Sequence, residues 1–213
     1  MKFCVIGLGR LGFHVAMGLA ENGMEVLGID TNEEIIASIR DRITQAICMH
    51  ITDAESLRSI GIEEIDTVIV AVGEDFAQSI LITALLKKKI GTKRVITRAV
   101  NEIHKDILHL VGADQVIIPE KDAGVRLADK LSTPFTDLIR LTDDFSISMI
   151  IAPAGLVGKK AAHINISPNY RAHCFAIQHN DEVMPLDNEY VIEKNDKLIF
   201  GGLNDDLEKI AKL

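Results

Sequence analysis

The sequence predicts an α/β protein: a doubly wound parallel, Rossmann-like sheet followed by a second, small α+β domain. Three observations carry this prediction. Six short apolar runs alternate with helical patterns over residues 1–132. A glycine turn, Gly7-Leu8-Gly9-Arg10-Leu11-Gly12, joins the first run to the first helix, and Asp30 closes the second run. Beyond Ser132-Thr133-Pro134 the period shortens to strands and small elements, so the architecture changes there.

Taken in order, residues 1–6 are a strand, a helix runs from the glycine turn to Gly23, and residues 25–29 are the second strand. Thr31-Asn32-Glu33-Glu34 reads as a capping box ahead of a helix to about residue 42. Residues 46–49 form a short strand, and residues 54–60 a helix ended by Gly61. The β-branched run at 67–72 has the character of a strand buried on both faces. A helix follows over 75–89, then a strand at 94–97, a helix at 102–111 ended by Gly112, and a strand at 115–118. The helix at 121–131 closes the series. Residues 133–144 are expected as a linker with an amphipathic crossover helix at 135–141. Residues 145–213 form the second domain, with strands at 146–151, 173–178 and 197–200 and helices near 159–164 and 205–213.

Bulk properties narrow the function. At 213 residues and 47% hydrophobic, the chain can bury a substantial core. The net charge of −8, with no basic run beyond Lys87-Lys88-Lys89, argues against a nucleic-acid-binding protein, because phosphate neutralisation needs a positive face. No apolar stretch approaches the roughly 20 residues of a membrane span, and residues 1–6 read as a strand, not a signal peptide. Cys4, Cys48 and Cys174 are far apart in apolar runs and are expected as buried, reduced thiols.

The turn supplies a nucleotide site. Gly7 permits the tight bend, Gly9 lets backbone approach a diphosphate, and Gly12 lets the helix pack on the sheet. Free N–H groups at the helix start attract phosphate, and Asp30 can accept from two ribose hydroxyls. Arg10, at the apex, is either solvated or reaches a phosphate. Thr31 and Asn32 bring no cation for a 2′-phosphate, so NAD, ATP or ADP is favoured over NADP. Ala71, Val72 and Gly73 end the fourth strand, across the switch point from Gly9. Arg98 faces phosphate or a neighbouring carboxylate, and these alternatives are open. Glu74 and Asp75 read as caps. Glu120 caps the following helix or binds a cation or arginine. Tyr190 and Lys194 match Tyr-x-x-x-Lys, but in a strand-and-turn context that makes the match fortuitous. The histidines show no metal spacing on one helix face.

Taken together, 5–12, 25–30, 57–62, 68–73, Gly112-Ala113-Asp114 and Pro119-Glu120-Lys121-Asp122-Ala123-Gly124 resemble the RCK (regulator of K+ conductance) subunits of Trk/Ktr-type potassium uptake systems. The second module is similar to the family's C-terminal domain through 156–160, Pro185 in a hairpin and 195–202. The resemblance implies a regulatory subunit and not an enzyme. It implies a cytoplasmic homo-oligomer, a dimer assembling to an octameric ring, docked on a membrane-embedded potassium-translocating subunit. ATP/ADP or NAD(H) at the sheet would change ring shape and gate ion flux. It further implies that Gly7, Gly9 and Gly12 hold phosphates, Asp30 the ribose, and Arg10 a terminal phosphate across a dimer. Glu120 would join a cation or phosphate contact between subunits, and so is the candidate metal ligand. His50 stands where many members carry Asp or Asn near the adenine. Some members bind cyclic di-AMP through an arginine-containing segment; the corresponding stretch here, Ser167-Pro168-Asn169-Tyr170, lacks the arginine, so that ligand is not expected.

Overall fold

A computed structural model describes residues 1–73, 75–164 and 170–212. The chain divides into two compact units, Met1–Lys121 and Asp122–Leu213. The division falls within a helix, ahead of the break expected at Ser132.

The first unit alternates strand and helix: β1 (Lys2–Ile6), α1 (Arg10–Glu21), β2 (Glu25–Asp30), α2 (Glu33–Ile39), β3 (Gln45–Cys48), α3 (Ala54–Ser59) and β4 (Thr67–Val70). It continues with α4 (Phe76–Ala84), β5 (Arg94–Arg98), α5 (Glu102–Val111) and β6 (Gln115–Ile117). Among the described residues its sheet has six strands in the order β3-β2-β1-β4-β5-β6, and every pairing is parallel. This is the doubly wound sheet expected from the alternating pattern. The order reverses between β1 and β4, where the crossover helices leave on opposite faces and a crevice opens beyond the strand ends.

Alternation along the strands builds two apolar layers. Cys4, Ile6, Ile29, Val68 and Val70 pack with Ile82 and Leu86 on one face. Val5, Leu8, Val26 and Ile69 pack with Ala16 and Met17 of α1 on the other. Central strands buried on both sides read as continuous apolar runs, as 67–72 does.

Local chemistry departs from expectation in places. Asn32, not Thr31, caps α2: its side chain accepts from the N–H groups of Glu34 and Ile35. Asp75 caps α4 by accepting from Gln78 N–H, as expected, while Glu74 lies outside the described residues. After Ala84 the helix widens into a π-turn over Leu85–Ile90, where Gly91 N–H reaches back five residues to Leu86 O. Cys4 and Cys174 are buried, but Cys48 is exposed. Its strand β3 is the sheet edge, so an apolar neighbourhood in sequence does not become burial.

Helix α6 (Pro119–Ser132) starts two residues earlier than its periodicity suggests, because proline suits the first helical position. The second unit then forms β7 (Asp137–Arg140), β8 (Phe145–Ile151), β9 (Ala172–His179), β10 (Glu182–Pro185), β11 (Lys197–Leu203) and α7 (Asn204–Ile210). Its strands make an antiparallel sheet ordered β10-β9-β11-β8-β7. Ile150, Ile177, Leu198 and Phe200 meet Leu207 and Ile210 of α7 in the core. The α+β expectation holds, with two corrections of detail. The crossover helix expected at 135–141 is absent; Phe135 enters the core and β7 pairs with β8. A four-residue apolar pattern cannot distinguish period 2 from 3.6, and an open strand edge decided the matter. The helix expected near 159–164 is a single 3-10 turn, Ala161–His163.

Candidate nucleotide site

The crevice beyond β1 and β4 is a cavity of about 710 Å³, within the range of small-molecule sites. Its floor is the β1–α1 turn. Gly7 sits at φ +88°, a conformation that side chains rarely adopt, and its N–H donates to Ile29 O at 2.8 Å. At Gly12 a Cβ would lie 1.8 Å from Gly7 O, so the helix approaches its own turn closer than any side chain allows. Gly9 has open space where a Cβ would stand, and it lines the cavity with Arg10 and Leu11. Helix α1 has no side-chain cap and no acid in its first turn. Its leading N–H groups therefore keep their positive field for an anion.

Asp30 ends β2 at the cavity wall, beside Thr31. One carboxylate oxygen accepts Leu8 N–H at 2.6 Å and the other accepts Asn32 N–H at 2.9 Å. Each oxygen retains a further lone pair for a hydroxyl. The carboxylate is thus oriented by the glycine turn itself. Ala71, Val72 and Gly73 form the opposite wall, and His50, exposed after β3, lines the rim.

Arg98, at the end of β5, lies against that wall: a Cβ on Gly73 would meet its guanidinium at 1.9 Å. The guanidinium donates to the Glu120 carboxylate in a short ion pair. Glu120 is held below the usual carboxylate range, first by its own backbone N–H at the start of α6. Partial desolvation opposes this, and Arg98 adds to it. The alternatives left open for both residues therefore meet in one contact. Within this chain Glu120 pairs with Arg98, and among the described residues no group of three or more His, Cys, Asp or Glu could hold a metal.

Of the residues singled out from sequence, Leu8 and Gly12 do not line the cavity; they shape it from below, Leu8 through its N–H on Asp30. The other candidate nucleotide-site residues, Gly7, Gly9, Arg10, Leu11, Asp30, Thr31, His50, Ala71, Val72, Gly73, Arg98 and Glu120, do line it. Sequence reading passed over His14 and Gln78. His14 stands four residues after Arg10 on α1 and lines the cavity, a spacing that marks one helix face. Gln78 donates from its side chain to Ile51 O at 2.6 Å and ties the loop after β3 to α4. Tyr190 belongs to the second unit, is not itself part of a helix and donates to Asp196 at 2.9 Å. Of the segment compared with cyclic di-AMP sites, Ser167, Pro168 and Asn169 lie outside the described residues.

Comparison with known proteins gives the family of both units. Residues 3–119 match the TrkA-N domain, and residues 147–213 match the TrkA-C domain. The chain belongs to the TrkA-N/TrkA-C family. The resemblance seen in the sequence is therefore a family membership covering both units. Ktr system potassium uptake protein C of Bacillus subtilis (strain 168) is 33% identical over 99% of this chain and 96% of its own length. Ktr system potassium uptake protein A of the same organism is 34% identical over 98% of this chain and 94% of its own. Among solved structures, the GsuK channel bound to NAD is similar in fold, with a TM-score of 0.54 and 22% identity over 98% of this chain. This chain spans only 37% of that channel's length.

Proposed function

We propose that this chain is the cytoplasmic regulatory subunit of a potassium uptake system, and that it binds ATP/ADP or NAD(H) in the cavity of its first unit. The carrying observation is the coupling of turn and acid: Leu8 N–H fixes Asp30 while the uncapped start of α1 stays available to phosphate. A ribose hydroxyl pair on Asp30 and a phosphate at Gly9 and Arg10 satisfy both features at once. His50 lies at the rim, where the base would emerge. The family relatives named as Ktr potassium uptake proteins support the biological setting.

In this reading the protein is not an enzyme. It works as a homo-oligomer, a dimer assembling to an octameric ring, docked on a membrane-embedded potassium-translocating subunit at the inner face of the membrane. Among the described residues no helix is long and apolar enough to cross a membrane, so that partner carries the ion path. Ligands shift the ring between states only through their differential affinity for them. Arg10, exposed at the mouth, gives a triphosphate an extra contact that a diphosphate lacks.

Thermal melting with ADP, ATP and NADH tests the site. Wild-type protein is expected to gain stability with at least one of them, and Asp30→Ala to lose the gain. An unchanged ligand shift in Asp30→Ala would refute the assignment. Capture of a potassium-translocating subunit from membranes, altered by ATP, tests the partner; equal recovery on beads without protein counts against it.

A further inference from the structure

We propose that Arg98 senses the ligand's anionic charge and that Glu120 is its built-in competitor. The carboxylate holds the guanidinium, and a phosphate displaces it, releasing the first turn of α6. This deepens the nucleotide-binding reading and rests on it.

The two partners are unequally placed. The Arg98 side chain is only 22% exposed, whereas that of Glu120 is 63% exposed. When the pair opens, water can solvate the carboxylate at once. The guanidinium, with less surface open to water, gains more from another anion. Among the described residues, the Arg98 Nε is buried without a hydrogen-bond partner. A guanidinium carries five N–H donors in a planar fork suited to carboxylate or phosphate, and Glu120 is recorded on one terminal nitrogen. The donors of this cavity-lining fork beyond the one spent on Glu120 are a place for ligand oxygens.

Gly73 fixes where the guanidinium lies. With no room for a Cβ there, the plane rests on the backbone of the wall opposite Gly9 and Arg10, inside the same cavity. Phosphates drawn to the start of α1 therefore enter a site whose far side is this arginine.

The consequence reaches beyond the cavity through the chain itself. Glu120 is the second residue of α6, and α6 carries the chain across the boundary at Lys121 and Asp122. The neighbouring Lys121 pairs with Glu102 at the start of α5. Losing the Arg98 contact frees the leading turn of α6 from the end of β5, at the point where the nucleotide unit hands over to the second.

Calorimetry on the full chain with adenosine and ADP, using wild type, Glu120→Gln, Arg98→Gln and the double variant, tests this. Glu120→Gln is expected to bind ADP about fivefold tighter, with adenosine unchanged. Arg98→Gln should bind ADP roughly tenfold weaker, and the double variant should match Arg98→Gln. Equal or weaker ADP binding by Glu120→Gln overturns the proposal, as does a double variant equal to the sum of the singles. Should Arg98→Gln fail to fold, hydrogen exchange at the amides of residues 123–126, which donate back to the first turn of α6, decides. ADP should speed it in wild type, and Glu120→Gln should show the fast exchange without ligand. Slow exchange in ligand-free Glu120→Gln overturns the latch. If wild type binds neither compound, the nucleotide reading fails with it. If wild type binds ADP, Asp30→Ala does not, and Glu120→Gln equals wild type, only the latch fails.

Discussion

Asp30 and Asp196 are built alike and used differently. Each closes a strand or turn and collects backbone N–H groups: Leu8 and Asn32 at Asp30, Glu193 at Asp196. Asp196 goes on to accept the Tyr190 hydroxyl at 2.9 Å and to pair with His179 Nδ1 at 2.7 Å, and it is buried. Its two oxygens already take three hydrogen bonds within the second unit. Asp30 faces a cavity with acceptor capacity to spare. A carboxylate buried on side chains of its own protein is a staple, whereas one oriented by backbone and left facing a cavity is a binding group.

The contrast can be broken most severely at the staple. Asp196→Ala leaves the Glu193 N–H, the Tyr190 hydroxyl and His179 without their acceptor, and should destabilise the second unit by about 3 to 4 kcal/mol. Both tyrosines, Tyr170 and Tyr190, lie in that unit and the chain has no tryptophan. Tyrosine fluorescence during urea unfolding therefore reports that unit. A midpoint equal to wild type would contradict the staple.

Next in size is the turn. Gly12→Ala forces a methyl group onto Gly7 O and should destabilise the first unit by roughly 3 kcal/mol, read by circular dichroism during unfolding. Gly9→Ala is the sharpening partner. Gly9 has φ −66° and open space around its missing Cβ, so free-protein stability should change by less than about 0.5 kcal/mol. Nucleotide affinity should nevertheless fall roughly tenfold, because the methyl group stands where the diphosphate approaches. Equal affinity in calorimetry would remove Gly9 from the phosphate site.

The smallest effect is electrostatic. His179 is raised above its usual value, first by the hydrogen bond to Asp196, against some desolvation, then by the charges of Asp196 and Glu193. A raised imidazole binds its proton more tightly in the folded state. That contribution is fully present below about pH 6.5 and is lost as pH rises through the raised value. Tyrosine-monitored stability should decline as pH rises above about 6.5 in wild type, and the decline should flatten in His179→Gln. The Tyr190 hydroxyl, pushed up to about 12 by burial and then by Asp196, stays protonated throughout that window.

Much of this was legible from residue order, and the misses have physical causes. The helix expected at 135–141 became β7 because so short an apolar pattern takes its conformation from whatever edge it meets, here β8. Cys48 lies in an apolar run and yet is exposed, since β3 has a neighbour on one side only. The N-cap moved from Thr31 to Asn32 because Asp30 already engages Asn32 N–H and sets where the helix can begin. His14 went unseen because nothing in a single histidine says which way its helix face is turned.

By itself the sequence determined the parallel sheet, the bend at Gly7 and the acid at the end of β2. Those features depend on local periodicity and backbone freedom, which travel with the residues. Only the tertiary structure decided that Leu8 N–H would orient Asp30, that Asp196 would be buried on Tyr190 and His179, and that Arg98 would settle on Glu120 across Gly73. Each of these joins side chains or amides brought together by folding, and the partner of a charge is fixed by what comes near it in space.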